Sequence, residues 1–467
     1  MFPEMKTLAR IADVMVAFFL AVASLSAQEP SPPAAAPDPQ IAAALAEVSP
    51  AQIQRNIEKL VGFYTRQTLS AGTPAMGGKG IDAAADWIDG EFQRYSSQCG
   101  DCLQVKTDQF IQQPTPPRVP EATTITNVYA ILRGTDPANA GRIYVVTGHY
   151  DSFNSDFTHA VGAAPGANDD ASGTAVSLEC ARVLSKHRFP ATIIFLTVAG
   201  EEQGLLGSAH FAQMSKAVGW DIEGVLNNDI VGGDRTPGDT LQDTHVVRVF
   251  SEGIPSTATE DELKRIRALG GENDGPSRQL ARYVSEVAKQ YLPPNKFHPL
   301  LISRHDRYLR GGDHFSFNDQ GFPAVRFTEF RENYNHQHQN VRTENGIEYG
   351  DLPKFVDYDY TANVARLNAA TLASLASAPA PPAEVRLLTK ALQNDSTLKW
   401  KASPGGLATA YEILWRDTTA SDWQHVQPVG NVTQATVALS KDNVIFAVRA
   451  VDAKGHRSLA VVPQPER

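Results

Sequence analysis

The chain has 467 residues, a net charge of −10 and ordinary globular proportions, with 42% hydrophobic and 20% charged residues. At roughly 100–200 residues per unit, that length implies two to four folding units. An acidic chain without basic runs argues against a nucleic-acid partner and lacks the charge that draws proteins to anionic membranes.

Lys6 and Arg10 precede an apolar run that ends in small residues at Ala27. That layout predicts a secretory signal over 1–27, although Asp13 interrupts the run and an anchor or a buried helix is the alternative. No other stretch is long and apolar enough to span a bilayer, so the expected product is secreted or periplasmic. No stable membrane insertion is expected after cleavage. Residues 28–48, rich in Pro and Ala, read as a disordered leader or pro-segment. Helical periodicity follows over 49–67, with Ser49 as N-cap, and again over 81–95. Cys99 and Cys102 are expected to form a small local disulfide, with two free thiols as the alternative, and Cys180 to be a buried filler.

Strand-like runs at 124–132, 143–150, 191–200, 222–230 and 323–330 alternate with helical runs at 173–187, 204–216, 279–291 and 360–376. Such alternation predicts an α/β fold with a largely parallel sheet covered on both faces. Residues 231–275, with weak periodicity, read as a long loop or insertion. The main unit is expected over 49–376 and a linker over 377–385. The short strands of 386–467 predict an all-β sandwich. Truncation after Ala380 is then expected to spare turnover of small substrates.

The polar clusters fall just after strand-like runs, where ligands of parallel sheets bind. In VVTGHYDS, His149 and Asp151 can share one side of a strand end, and the acid can hold the second ring nitrogen of the histidine. GANDDASGTA offers Asp169 and Asp170, either of which could bridge two cations roughly 3.5–4 Å apart. AGEEQGLLGS offers Glu201 and Glu202, one to ligate and one to act as a base. LNNDIVGG adds Asp229, and YNHQHQN adds His336 and His338. His305 and His314 read as structural or supporting. Each cluster is weak alone. Together they supply mixed N and O ligands for two zinc ions, plus a spare glutamate. HExxH, GxSxG, GxxxxGK[ST] and GxGxxG are absent.

HYDS, GANDDASGTA, AGEEQGLLGS, NNDIVGG and the late histidine, in that order, resemble the co-catalytic zinc exopeptidases. That group includes bacterial leucyl aminopeptidases and glutamate carboxypeptidase-like enzymes. The resemblance, over roughly residues 50–376, implies a three-layer α/β sandwich of phosphorylase/hydrolase type with a mostly parallel mixed sheet and two Zn2+ ions. It implies that His149 and Asp229 bind one zinc, that Glu202 and a late histidine bind the other, and that Asp169 bridges them. Glu201 becomes the general base, Asp151 the group that orients His149, and Asp170 a support for Asp169. His338 is favoured over His336 as the last ligand. The tyrosine that often assists in the family is out of place, and Tyr334 is its candidate replacement. The expected function is an aminopeptidase acting on peptides. A carboxypeptidase or dipeptidase, which would draw a cationic pocket from Arg307, Arg310 or Arg326, and a non-catalytic binding protein are the alternatives. Trp400, Tyr411 and the AVRAVDAKGHRS run resemble a fibronectin type III module, implying a role in binding a surface, polymer or protein.

Overall fold

The computed structural model describes residues 36–73 and 76–467. The signal expected over 1–27 lies outside them, as does the leader up to residue 35. From there the leader reading needs correction. Asp38 caps a helix, α1 (Pro39–Ala46), whose Ile41, Ala44 and Leu45 are buried in the main core. Pro and Ala hid it, since an eight-residue helix draws its stability from packing rather than from its own composition.

Helices α2 (Pro50–Val61), capped by Ser49 as expected, and α3 (Gly80–Gln98) follow. The edge strand β1 (Leu103–Gln112) escapes the sequence reading because its alternating residues are mostly exposed or half-buried. Then come β2 (Thr123–Leu132), β3 (Arg142–His149), α4 (Ala171–Leu184), β4 (Thr192–Val198), α5 (Leu206–Ala217) and β5 (Asp221–Asn228). The segment read as a loop holds β6 (Val246–Ser251) and α6 (Glu260–Leu269). Helix α6 buries no residue and rests on a capping box between Thr259 and Glu262, so it lacks the apolar face that reveals a helix in sequence. Helix α7 (Pro276–Tyr291), β7 (His298–Ile302), α8 (His314–Asn318), β8 (Ala324–Glu329), the small hairpin β9 (Arg342–Glu344) and β10 (Ile347–Tyr349), and α9 (Tyr358–Ser377) complete the unit.

Eight strands form one mixed sheet in the order β1-β2-β4-β3-β5-β8-β6-β7. Strands β4, β3, β5 and β8 are mutually parallel, while β1–β2, β2–β4 and β6–β8 are antiparallel. The central strands β3 and β4 are buried throughout, as strands covered on both faces must be. One face packs under α1, α2, α3, α4, α7 and α9, and the other under α5 and α8. The result is a three-layer α/β sandwich. Parallel strands carry all their carboxyl ends to one rim, and the polar clusters collect there.

The span read as a linker is packed: Ala378 and Ala380 are buried, and β11 (Ala383–Leu388) begins within it. Strands β12 (Ser396–Lys401), β13 (Ala410–Asp417), β14 (His425–Gly430), β15 (Gln434–Val437), β16 (Val444–Val451) and β17 (Gln464–Glu466) complete two sheets, β15-β12-β11-β17 and β14-β13-β16. Val385, Trp400, Tyr411 and Phe446 share one core between them. This unit docks against α7 through ion pairs, those on Asp274 being buried. Arg416 and Arg282 both reach Asp274, at 2.7 and 3.2 Å, and Arg449 reaches Glu286 at 2.6 Å.

One histidine ties both ends of the described chain together. His456 lies 2.8 Å from Asp452 in its own unit and 3.0 Å from Asp38, the cap of α1. Burial opposes its charge, yet the two acids outweigh burial and raise its pKa above 6.5. Burial also works against both carboxylates; hydrogen bonds from backbone amides and His456 nevertheless bring them below 3.8. The stabilisation from His456 is full below its unfolded pKa of 6.5 and fades as pH rises through the raised value. The share from the acids is lost only as pH falls through their lowered values. His456→Gln is therefore expected to lower the thermal midpoint near pH 5 and to make little difference near pH 9. A deficit that stays constant with pH would sink the ion-pair account.

Candidate metal centre

His149 ends β3 and is fully buried. Its Nδ1 lies 3.4 Å from Asp151 Oδ1 and 3.2 Å from the Asp151 carbonyl oxygen, which leaves Nε2 to face inward. Asp151 also accepts from the backbone N–H groups of Glu201 and Glu202 and from the Thr68 hydroxyl. One acid thus holds the ends of β3 and β4 in register.

Asp169 and Asp170 part company in the structure, across a cis peptide bond. Asp170 caps α4 through Gly173 N–H at 2.8 Å and accepts from the backbone N–H groups of His149 and Ile230. It ties together three of the segments that carry the site. Asp169 instead reaches one histidine with each oxygen: Oδ1 is 3.2 Å from His149 Nε2, and Oδ2 is 2.9 Å from His338 Nε2. Glu202 Oε1 lies 3.2 Å from His338 Nε2, and Asp229 Oδ1 lies 3.9 Å from His149 Nε2. The small residues around the pair are needed for close approach. A Cβ on Gly173 would sit 2.1 Å from the Asn228 carbonyl oxygen, and one on Gly148 would sit 2.4 Å from the Gly173 carbonyl carbon.

His336 stands elsewhere. Its Nδ1 meets Asp234 and its ring stacks on Phe355 at 3.8 Å, so of the two late histidines only His338 faces the acids. His314 is buried behind the site, with Nε2 3.0 Å from the His305 carbonyl oxygen. Tyr334, more than half exposed, lines the cleft over the site.

Two groups of side chains lie close enough to hold one ion each: His149, Glu201 and Asp229, and His149, Asp169 and Glu202. His149 Nε2, His338 Nε2 and Glu202 Oε1 are buried without a hydrogen-bond partner. Buried polar atoms are rarely left so, and atoms that converge without hydrogen-bond geometry suit a cation between them. The electrostatics agree. Burial, then Asp169, pushes Glu202 up to about 7 against the pull of His338. Burial also holds Glu201 and Asp170 well above the usual carboxylate range, each with acidic neighbours adding to the effect. Burial opposes charge on Asp169 as well, but His338 and His149 hold it well below that range. The set carries more negative charge than its neighbours neutralise, and a bound metal would supply what is missing.

Several supporting residues had no signal of their own in the sequence. Arg66, fully buried, donates to the carbonyl oxygens of Tyr150, Pro165 and Gly166 and so clamps the HYDS turn to the GANDD turn. Asp351 accepts from the backbone N–H groups of Asn168 and Asp169 at 2.8 and 2.7 Å. Asp313, in GGDHFSF, is buried with both oxygens lacking a hydrogen bond, and burial followed by Asp229 and Asp151 pushes it up to about 7. A lone acid gives no periodicity or spacing to read, and chain order alone does not bring these residues to the site. Arg326 and Arg307 are both engaged by acids: Arg326 by Asp229 and Asp306, Arg307 by Asp306 and Glu332.

The model of peptidase family M28 matches residues 127–357, the span that holds every one of these ligand positions. A probable zinc metalloprotease of Pyrenophora teres f. teres is 46% identical over 92% of this chain and 88% of its own length. The chain belongs to peptidase family M28. Another relative in the comparison, a probable zinc metalloprotease of Leptosphaeria maculans, is 46% identical over 92% of this chain and 98% of its own length. The M28 fold is shared with the LapA aminopeptidase of Legionella pneumophila, at a TM-score of 0.50 and 20% identity over 72% of this chain and 75% of that one. LapB from the same organism matches at a TM-score of 0.50 and 18% identity, over 73% and 75%.

Proposed function

We propose that this M28 chain is an exported, zinc-dependent aminopeptidase that removes N-terminal residues from peptides. The observation that carries the reading is Asp169, one carboxylate that reaches His149 with one oxygen and His338 with the other. His149, Asp229 and Asp169 would hold one ion, and Asp169, Glu202 and His338 the second. Mixed nitrogen and oxygen donors suit zinc, which the names of the relatives also carry. When bound, two zinc ions polarise the scissile carbonyl, acidify the attacking water and stabilise the oxyanion.

The side chains do the remaining work. Glu201 takes a proton from the attacking water and delivers it to the leaving amine, and its half-buried, desolvated and acid-rich surroundings raise its affinity for that proton. Asp151 fixes His149 through Nδ1 and keeps Nε2 aimed inward. The surplus carboxylates give a free substrate ammonium its counter-charge, which favours attack beside an N-terminus. The Cys99–Cys102 disulfide suits the oxidising compartment that export implies. The C-terminal unit is read as a fibronectin type III-like module that binds a surface, polymer or protein. Its Trp400–Tyr411 core supports that reading.

Leucine p-nitroanilide and its N-acetyl derivative test the reaction class. Release of nitroaniline is expected from the free amine and to be lost on acetylation. Equal or faster release from the blocked substrate would turn the assignment toward another peptidase type.

A further inference from the structure

The ion pairs beside the candidate centre do not balance. Arg248, Arg307 and Arg310 all reach the one carboxylate of Glu332, at 3.0, 2.7 and 2.9 Å. Arg307 reaches a second acid, Asp306, which is also taken by Arg326, and Arg326 in turn holds Asp229. Four guanidiniums therefore share three carboxylates, and one of those, Asp229, is a candidate metal ligand. Arg310 is the least covered of the four, its side chain 33% exposed against 18%, 10% and 0% for the others. It is also the one that lines the cleft over Glu202 and His338.

That cleft, about 370 Å³, has a second cation in its wall, Arg118. Arg118 lies in the turn between β1 and β2, donates to the Glu202 carbonyl oxygen and stacks over Phe157 at 5.2 Å. Among the described residues no carboxylate pairs with it. Of the residues lining the cleft only Glu202 is acidic, and it faces His338. A guanidinium presents parallel donors that fit a carboxylate edge to edge, and two of them at one cleft leave positive charge for a ligand to meet.

We infer that Arg118 and Arg310 receive a substrate carboxylate within about one residue of the scissile bond. That inference rests on the aminopeptidase reading and narrows its substrates. The carboxylate has two possible sources of the same chemistry: the side chain of an N-terminal Asp or Glu, or the C-terminal group of a dipeptide. The volume is that of a small-ligand pocket, which sets the limit on reach.

Two matched pairs of substrates separate the sources with the zinc-loaded full chain: glutamyl against glutaminyl p-nitroanilide, and Leu-Leu against Leu-Leu-amide. The acidic member of one pair is expected to show a kcat/KM about tenfold higher or more, the scale of one charge-assisted hydrogen bond, carried by KM. The pair that shows it names the source. The ratio is expected to collapse toward one in Arg118→Gln and in Arg310→Lys, which keeps the charge and loses the fork. Arg118 is exposed, so its variant has little reason to misfold. Ratios near one in both wild-type pairs, with hydrolysis proceeding, overturn the inference and leave the aminopeptidase reading standing. If no substrate turns over, that reading fails instead. Calorimetric binding of glutamate against glutamine, and of Leu-Leu against its amide, then decides the carboxylate site directly. Tighter binding of an acidic member supports the site, and equal binding within both pairs overturns it.

Discussion

Glu201→Gln is expected to lower kcat by about 10²- to 10⁴-fold while the bound zinc per chain stays at the wild-type level. The amide keeps the shape of the side chain and its hydrogen-bonding reach but can no longer carry a proton between water and leaving amine. The zinc measurement matters because Glu201 lies within ligand reach of His149 and Asp229. A variant that loses activity and metal together would make Glu201 a ligand rather than a base. Near-native turnover with full zinc would remove it from the chemistry altogether.

Asp274→Ala is expected to lower the free energy of unfolding by about 3–5 kcal/mol, read by urea titration, because it strands two buried cations at once. Arg416 and Arg282, with side chains 2% and 4% exposed, both depend on that carboxylate. Burial already brings the pKa of Arg282 down to about 10 with Asp274 in place. A change below about 1 kcal/mol would mean that water reaches the guanidiniums and the interface is looser than it stands here. The same pairs bear on truncation after Ala380. A linker-and-module organisation expects that cut to be harmless. The structure instead has Arg142 donating to the carbonyl oxygen of Ala378, and Asp274 and Glu286 pairing across to Arg416 and Arg449. The C-terminal unit is built into the stability of the peptidase unit, and its removal is expected to destabilise what remains.

How much of this was legible in the sequence follows from what each residue type can signal. The central strands announce themselves because a strand buried on both faces is continuously apolar, as in IYVVTGHY and TIIFLTV. Edges and exposed helices do not, and β1 and α6 are of that kind. Candidate ligands were legible because five clusters lie in order behind the strands β3, β4, β5 and β8, the first two both behind β3, and together they outweigh any one of them. The preference for His338 over His336 agrees with the structure, but side-chain pattern alone separates them poorly, since both lie in one short run two residues apart. The choice turns on backbone geometry: His338 adopts a left-handed conformation, φ 56°, and Gln337 between the two histidines donates to Asp169 at 2.9 Å. Supports such as Arg66 and Asp351 act through backbone carbonyls and amides, which leave no pattern in side-chain spacing.

The dinuclear centre is tested most directly by titrating the metal-free chain with zinc while following leucine p-nitroanilide hydrolysis. Activity is expected to rise and level off at two equivalents per chain. A plateau at one equivalent, or no hydrolysis at any zinc level with the fold intact, would contradict it.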